Sequence, residues 1–259
     1  MSVLRGVAPA VWTTTARLWA SLATVVVGDD GACLVVDPGI STAEIDALGG
    51  EVTARGWTPT AGFSTHPHWD HLLWWPSLGA PTRWATSAAV EHAVADRAHI
   101  LSAAEQDAPG HAPAQIGAIT PLPDDAGEVP WEGPRAVVVP YRGHCPGSAA
   151  LLLAASGVLV AGDMLSDTET PLLDLTAADP VGDYVAGLDA LEGIAADADV
   201  RVLVPGHGTV ADRAGLHRRA AADRAYLDSL AAGRSPEDPR LTNPWIVAEH
   251  RRQVDWARR

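Results

Sequence analysis

The sequence predicts a layered α/β fold, with β-sheet inside and α-helices outside. Short apolar runs recur along the chain, and most are continuous where a half-exposed strand would alternate. Strands covered on both faces have that pattern. Helical stretches alternate with these runs, and strands buried between helices imply layers. With 259 residues and 47% hydrophobic composition, the chain can form one large or two small cores.

Taken in order, the first apolar stretch, Leu18 to Gly28, contains a strand-like run at Ala23–Val27. It leads through Gly28-Asp29-Asp30-Gly31 into a second run, Cys33–Val36. Two β-rich runs joined by a Gly/Asp turn read as a hairpin. A signal peptide is the competing reading, because Arg17 precedes the stretch. The stretch is too short to span a membrane, and it runs directly into the turn. Ser41 is placed as a helix N-cap, with Glu44 completing a capping box. Further helices are expected over Ser87–His99, Pro180–Ala196, Ala211–Ala231 and Pro244–Ala257. Further strands are expected over Ala136–Val139, Ala149–Leu153, Val158–Val160 and Val200–Val204. Proline and glycine are dense between Asp107 and Pro134, with a candidate short strand at Ile116–Leu122. The apolar run resumes at once at Ala136, so this segment reads as a surface loop and hairpin, not a linker. One domain over residues 1–259 is the expectation.

The formal net charge of −14 presents a repulsive surface to polyanions. It argues against nucleic acid and anionic membrane as partners and leaves a small molecule as the expected one. The two cysteines, Cys33 and Cys145, lie far apart with no CxxC pattern. No disulfide framework is expected, and a cytoplasmic location is the simplest reading.

The strongest chemical signal is His66-Pro67-His68-Trp69-Asp70-His71, directly after the apolar stretch Ala61–Ser64. In extended backbone, alternate residues point the same way, so His66 and His68 can converge on one point. Pro67 disfavours helix at His66. Asp70 and His71 are adjacent, leave the chain in different directions, and can serve a second point nearby. A lone histidine is more often structural than ligating, but packing does not readily explain four imidazole or carboxylate groups in six residues. Histidine with carboxylate suits zinc first, then iron or manganese.

Three distant residues share one local pattern. His144 follows Ala136–Val139 through Pro140 and Gly143, Asp163 follows Val158–Val160 through Gly162, and His207 follows Val200–Val204 through Pro205 and Gly206. Each is a metal-binding type just past a buried strand, after a glycine that permits a tight turn. Strand ends on one edge of a sheet are where open α/β folds collect their sites.

In this order the motifs resemble the metallo-β-lactamase superfamily. The match comprises the HxHxDH signature, Gly-His-Cys-Pro-Gly-Ser around His144, Ala-Gly-Asp at Asp163 and Pro-Gly-His-Gly at His207. Val35-Val36-Asp37-Pro38-Gly39 is similar to the strand-ending motif upstream of that signature. The resemblance implies an αββα sandwich, two mixed sheets face to face with helices outside. It implies two zinc ions, with His66, His68 and His144 around the first, Asp70, His71 and His207 around the second, and Asp163 bridging. A hydroxide between the metals would be the nucleophile, because coordination lowers the pKa of water to roughly 7. Asp70 is the expected catalytic residue, orienting that nucleophile and moving protons.

The departures from the family narrow the reading. A bridging aspartate resembles the glyoxalase, lactonase and phosphodiesterase-like branches, so antibiotic hydrolysis is not the default. His68 is histidine where di-iron redox relatives carry glutamate, and no large insertion of the nuclease type precedes His207. The expectation is a dinuclear hydrolase of a small ester, lactone or thioester. An iron-dependent oxygenase or sulfur-transfer enzyme, or a non-catalytic metal-binding regulator, are the alternatives. Ten tryptophans stand against one phenylalanine, and Trp74 and Trp75 follow the signature closely as pocket wall or as core packing. Arg142 is either a substrate-carboxylate contact or an exposed strand-end arginine. Cys145 reads as a small buried residue, and His92, His99, His111, His217 and His250 as structural or exposed.

Overall fold

A computed structural model describes residues 3–123 and 126–258. Seven strands form the first sheet in sequential order: β1 (Arg5–Ala8), β2 (Val11–Thr15), β3 (Leu22–Val27), β4 (Ala32–Val36), β5 (Thr58–Phe63), β6 (Thr82–Ala85) and β7 (Thr120–Pro121). Pairing is antiparallel from β1 to β4 and parallel from β4 to β7, so the sheet is mixed. The second sheet contains β8 (Val137–Pro140), β9 (Ala149–Leu153), β10 (Val158–Val160), β11 (Val202–Val204) and β12 (Ala211–Asp212). It too is mixed, since β10 and β11 run parallel and the other pairs antiparallel.

The continuous apolar runs have the physical cause that the pattern suggested. In β4, Leu34 and Val36 face the second sheet and share a core with Leu151, Val160 and Val204. Their neighbours Cys33 and Val35 point the other way, onto Ile45, Leu48 and Val52 of α1 (Thr42–Ala54). Behind the second sheet, Leu152, Leu159 and Leu203 meet Leu188 and Leu191 of α4 (Pro180–Asp197) and Leu216 and Leu227 of α5 (Arg213–Ala231). Alternate side chains thus enter different cores, and the layers are helix, sheet, sheet, helix.

The Cys33–Val36 hairpin and the Ser41–Glu44 capping box form as expected: Ser41 Oγ accepts from Glu44 N at 3.3 Å, and Glu44 Oε2 accepts from Ser41 N at 3.1 Å. Helix α6 has the expected bounds, Pro244–Ala257. The helix expected over Ser87–His99 is instead two, α2 (Ser87–Ala95) and α3 (Arg97–Asp107), broken where Asp96 leaves helical geometry at φ −102°, ψ 17°. The expected start of α5 at Ala211 is corrected to Arg213. Ala211 and Asp212 pair with β11, and Asp212 caps the helix through Gly215 N at 2.7 Å. The expected Ile116–Leu122 strand shrinks to the two residues of β7; Ile116 enters the first core and Leu122 the inter-sheet core. Residues 124 and 125 of the expected surface loop lie outside the described residues. No helix among the described residues is long and apolar enough to cross a membrane.

Candidate metal centre

The side chains singled out by the motifs stand at strand ends that meet. The segment that follows β5 carries His66 and His68, with His68 extended at φ −74°, ψ 148° and the two rings 4.7 Å apart. A 3-10 turn over Trp69–His71 then swings Asp70 and His71 away from that direction. The β8–β9 turn carries His144, and Asp163 and His207 follow β10 and β11. Gly206 is required here, because a Cβ on it would collide with the Asp163 carboxylate.

Donor atoms of His66, His68, His144 and Asp163 all lie within 4.8 Å of one another, as do those of Asp70, His71 and His207. Asp163 joins the two groups. Its Oδ2 is 3.3 Å from His66 Nε2, 3.5 Å from His144 Nε2 and 3.3 Å from His207 Nε2. Its Oδ1 is 3.2 Å from His71 Nε2. Asp70 Oδ2 faces His71 Nε2 at 3.3 Å and His207 Nε2 at 3.2 Å.

The outward nitrogens settle which tautomers the neutral rings adopt. His71 Nδ1 donates to Asp37 Oδ2 at 3.0 Å, His144 Nδ1 to the Leu172 carbonyl at 2.9 Å and His207 Nδ1 to the Trp19 carbonyl at 3.2 Å. His66 Nδ1 lies 3.0 Å from Thr65 Oγ1, whose own proton goes to Asp37 Oδ2 at 2.6 Å, so His66 Nδ1 is the donor of that pair. In its neutral form each of these four rings therefore turns an Nε2 lone pair inward. His71 and His207 bring theirs within 3.2 Å of each other, while buried His66 Nε2 and Asp163 Oδ1 have no hydrogen-bond partner. Lone pairs set against lone pairs in a buried site call for positive charge between them. The residues present therefore fit divalent cations on an imidazole–carboxylate donor set.

Electrostatics agree. Burial alone would raise the Asp70 carboxyl, but the facing His71 and His207 hold it well below the usual carboxylate range. Asp163 is held down in the same way by His207, His71 and His66 against the burial effect. Burial pulls His71 and His207 down, yet the surrounding carboxylates, Asp163 foremost, outweigh it and lift both well above the ordinary imidazole value. At the other end, burial and neighbouring imidazoles depress His68 and bring His144 to about 4, despite the opposing pull of Asp163 on His144. Burial pushes the Cys145 thiol up to about 12, which keeps it protonated and unsuited to ligation.

The remaining candidates fall elsewhere. Trp74 is 3% exposed in the first core; its indole N–H donates to the Gly79 carbonyl at 3.0 Å and Arg83 lies over its ring, so it packs and does not join the cluster. Trp75 is half-buried against the same core, edge-on to His111. Arg142 is exposed. Three features escaped sequence reasoning. Asp37 is the shared acceptor behind His71 and, through Thr65, behind His66; its signal was the Val35–Gly39 motif. Glu169, buried, places Oε1 3.8 Å from His207 Nδ1. Trp19, not Trp74, is the indole beside the cluster, 6.3 Å from the His207 ring.

Two mixed sheets between helices, with a shared-carboxylate donor cluster at their strand ends, define an α/β protein with a candidate metal centre. The chain belongs to the metallo-β-lactamase superfamily, whose family model matches residues 16–207. Solved structures share the fold. A β-lactamase domain protein from Burkholderia ambifaria is 23% identical, with 89% of this chain and 76% of that chain covered and a TM-score of 0.68. The metallo-β-lactamase FIM-1 from Pseudomonas aeruginosa, in its mono-zinc form, is 16% identical over 86% of this chain and 95% of its own, with a TM-score of 0.63. The metallo-β-lactamase DIM-1 is 18% identical over 84% and 94%, with a TM-score of 0.60. No curated protein matches the sequence.

Proposed function

We propose that this protein is a dinuclear, metal-dependent hydrolase of a small ester, lactone or thioester. The observation that carries the reading is the pair of donor groups sharing Asp163. His66, His68 and His144 would hold one ion, Asp70, His71 and His207 the other, with Asp163 common to both. Two zinc ions are the first choice for this donor set, with iron or manganese also compatible. When bound, such ions supply Lewis acidity and make water a nucleophile at neutral pH.

The protein's own groups do the rest. Asp37 and Thr65 lock His66 and His71 in the ligating tautomer, and the Leu172 and Trp19 carbonyls do the same for His144 and His207. Asp70 stays a carboxylate through neutral pH, and in this reading it would take a proton from attacking water and return it to the leaving group. Burial of the cluster excludes bulk water and strengthens each of these interactions. We further propose cytoplasmic action on small molecules, without nucleic acid or membrane partners. Supporting this, Cys33 and Cys145 are both free and buried.

Elemental analysis on purified protein, paired with a panel of chromogenic esters, lactones, thioesters, phosphodiesters and a β-lactam, tests the reading. Close to two metals per chain and turnover of an acyl substrate are expected, with Asp163→Ala lowering the loading. A single metal in well-loaded protein, unaffected by that substitution, or a preference for phosphodiesters, would overturn it.

A further inference from the structure

Glu169 is a carboxylate at the cluster that the chemistry above leaves without a task. It follows Asp163 on a segment that turns back sharply, with Leu165 at φ 61°. Ser166 pins that segment to the centre: its Oγ donates to the His207 carbonyl at 2.9 Å and accepts from Thr168 N and Glu169 N, each at 3.1 Å. Glu169 is thereby set against the donor atoms. Its Oε1 lies 3.8 Å from His207 Nδ1, and oxygens of Glu169 and Asp163 fall, with a His207 nitrogen, within 4.8 Å of one another.

Three observations direct this carboxylate toward a substrate. First, it lacks a counter-charge. Among the described residues its oxygens accept no hydrogen bond, and His207 is the only ion-pair candidate. That ring gives its Nδ1 proton to the Trp19 carbonyl at 3.2 Å, and it is neutral once Nε2 is a ligand. The nearby arginines are engaged elsewhere, Arg219 with Asp167 at 3.0 Å and Arg240 with Asp223 and Asp238. Burial, with Asp163 and Asp70 adding to it, pushes the Glu169 carboxyl up to about 7 against the pull of His207. Second, Glu169 borders an open side of the cluster. His66 and His71 are wholly covered at 0%, whereas Glu169 and Asp163 keep 7% and 8% exposure. Neither Glu169 oxygen is among the sealed, unpartnered atoms, so both reach solvent. Third, the charges do not balance without a further cation. Asp70, Asp163, one hydroxide and the Asp37 behind His71 match two divalent ions, and Glu169 then leaves the centre one charge negative. A buried carboxylate without a partner is costly, and a cation carried by the substrate removes that cost.

We propose that Glu169 selects substrate charge: it receives an ammonium group on the ester, lactone or thioester and turns away substrates that carry a carboxylate at that position. The inference rests on the metal-centre reading above and narrows its substrate class. A charge-assisted hydrogen bond from the ammonium fixes the substrate's orientation as well as its affinity.

Three thiols of similar size test this without turnover: cysteamine, 2-mercaptoethanol and 3-mercaptopropionate, which end in an ammonium, a hydroxyl and a carboxylate. Each is titrated into the cobalt-loaded protein at about pH 8, where Glu169 is ionised, and thiolate coordination is read by its charge-transfer absorption. Glu169→Gln keeps the shape and removes the charge. It should weaken cysteamine about tenfold, strengthen 3-mercaptopropionate about threefold and shift 2-mercaptoethanol by less than about twofold, with cobalt content unchanged. Asp167→Asn, which removes a neighbouring exposed carboxylate, should leave all three affinities within about twofold of wild type. Equal shifts for the three thiols in Glu169→Gln, or the same pattern in Asp167→Asn, would overturn the charge selection alone. Loss of cobalt from Glu169→Gln would also overturn it, by making Glu169 a metal ligand or a support of the fold. Absence of a thiolate band with every probe in the wild type would overturn the metal-centre reading, and the charge selection with it.

Discussion

Asp37→Asn exchanges one oxygen for an amide nitrogen at the point where two proposed ligands are oriented. Asp37 is 2% exposed; Oδ1 accepts from Thr65 N at 3.0 Å, and Oδ2 accepts from Thr65 Oγ1 at 2.6 Å and His71 Nδ1 at 3.0 Å. An asparagine fits the space but not the proton pattern. If its oxygen faces Thr65 Oγ1 and His71, its NH2 meets the Thr65 N–H, donor against donor. If it turns over, its NH2 faces His71 Nδ1 and drives that ring to the other tautomer, placing a proton on the Nε2 that would bind metal. One buried donor is left unsatisfied either way, a cost of about 1–3 kcal/mol. Loss of an outer partner of a ligating histidine typically weakens metal binding about 10–100-fold, or about 1.4–2.8 kcal/mol. The expected result is a melting temperature lower by on the order of 5 °C, with zinc affinity in chelator competition reduced by at least about tenfold. Affinity within twofold of wild type would refute the assignment of Asp37 as the orienting acceptor.

Further outcomes follow from the same geometry. Asp70→Asn should abolish most turnover, since it removes the low-pKa carboxylate facing His71 and His207, whereas His217→Ala, on an exposed ring beside Glu192, should leave rate and metal content nearly unchanged. Steady-state kinetics and elemental analysis of both variants check this, and equal behaviour would defeat the role given to Asp70. In the metal-free protein His71 and His207 are raised well above the ordinary imidazole value and hold protons at neutral pH. Metal must displace those protons, so affinity should weaken as pH falls and loading should release protons into weak buffer; a pH-independent affinity would contradict it. Gly147→Ala should destabilise the fold by about 2–5 kcal/mol, because φ is 88° and the new Cβ would strike the Ala88–Ala89 backbone of α2. Chemical denaturation measures that loss, and a stability change under about 1 kcal/mol would show that the turn relaxes freely.

Local chemistry made much of this molecule legible. Continuous apolar runs demand cover on both faces, and β3, β4, β9, β10 and β11 obtain it from sheet on one side and helix on the other. The spacing His66-x-His68-x-Asp70-His71 and the three glycine-preceded residues after strands depend on backbone direction over a few residues, and these side chains do converge. The Ser41–Glu44 cap is equally local. Where neighbouring sequence carried no contrast, expectation failed: the polar-flanked strands β1, β2 and β6 had no apolar run to announce them, and the α2–α3 break turns on the backbone angles of Asp96 alone.

Ring orientation and pocket walls belong to tertiary structure. Chain proximity placed Trp74 near the cluster, but its indole turns into the core, since the residues between it and His71 rotate the chain away. The indole that flanks His207 comes from the β2–β3 turn and is stacked by one from α6, positions that only folding brings within reach of each other. Asp37 could be seen in its motif, yet its task as shared acceptor needs β4 and β5 side by side, with Thr65 and His71 turned toward it. A sequence specifies ligand types and strand ends because those depend on a few adjacent dihedrals; which faces meet across the site depends on how distant elements pack.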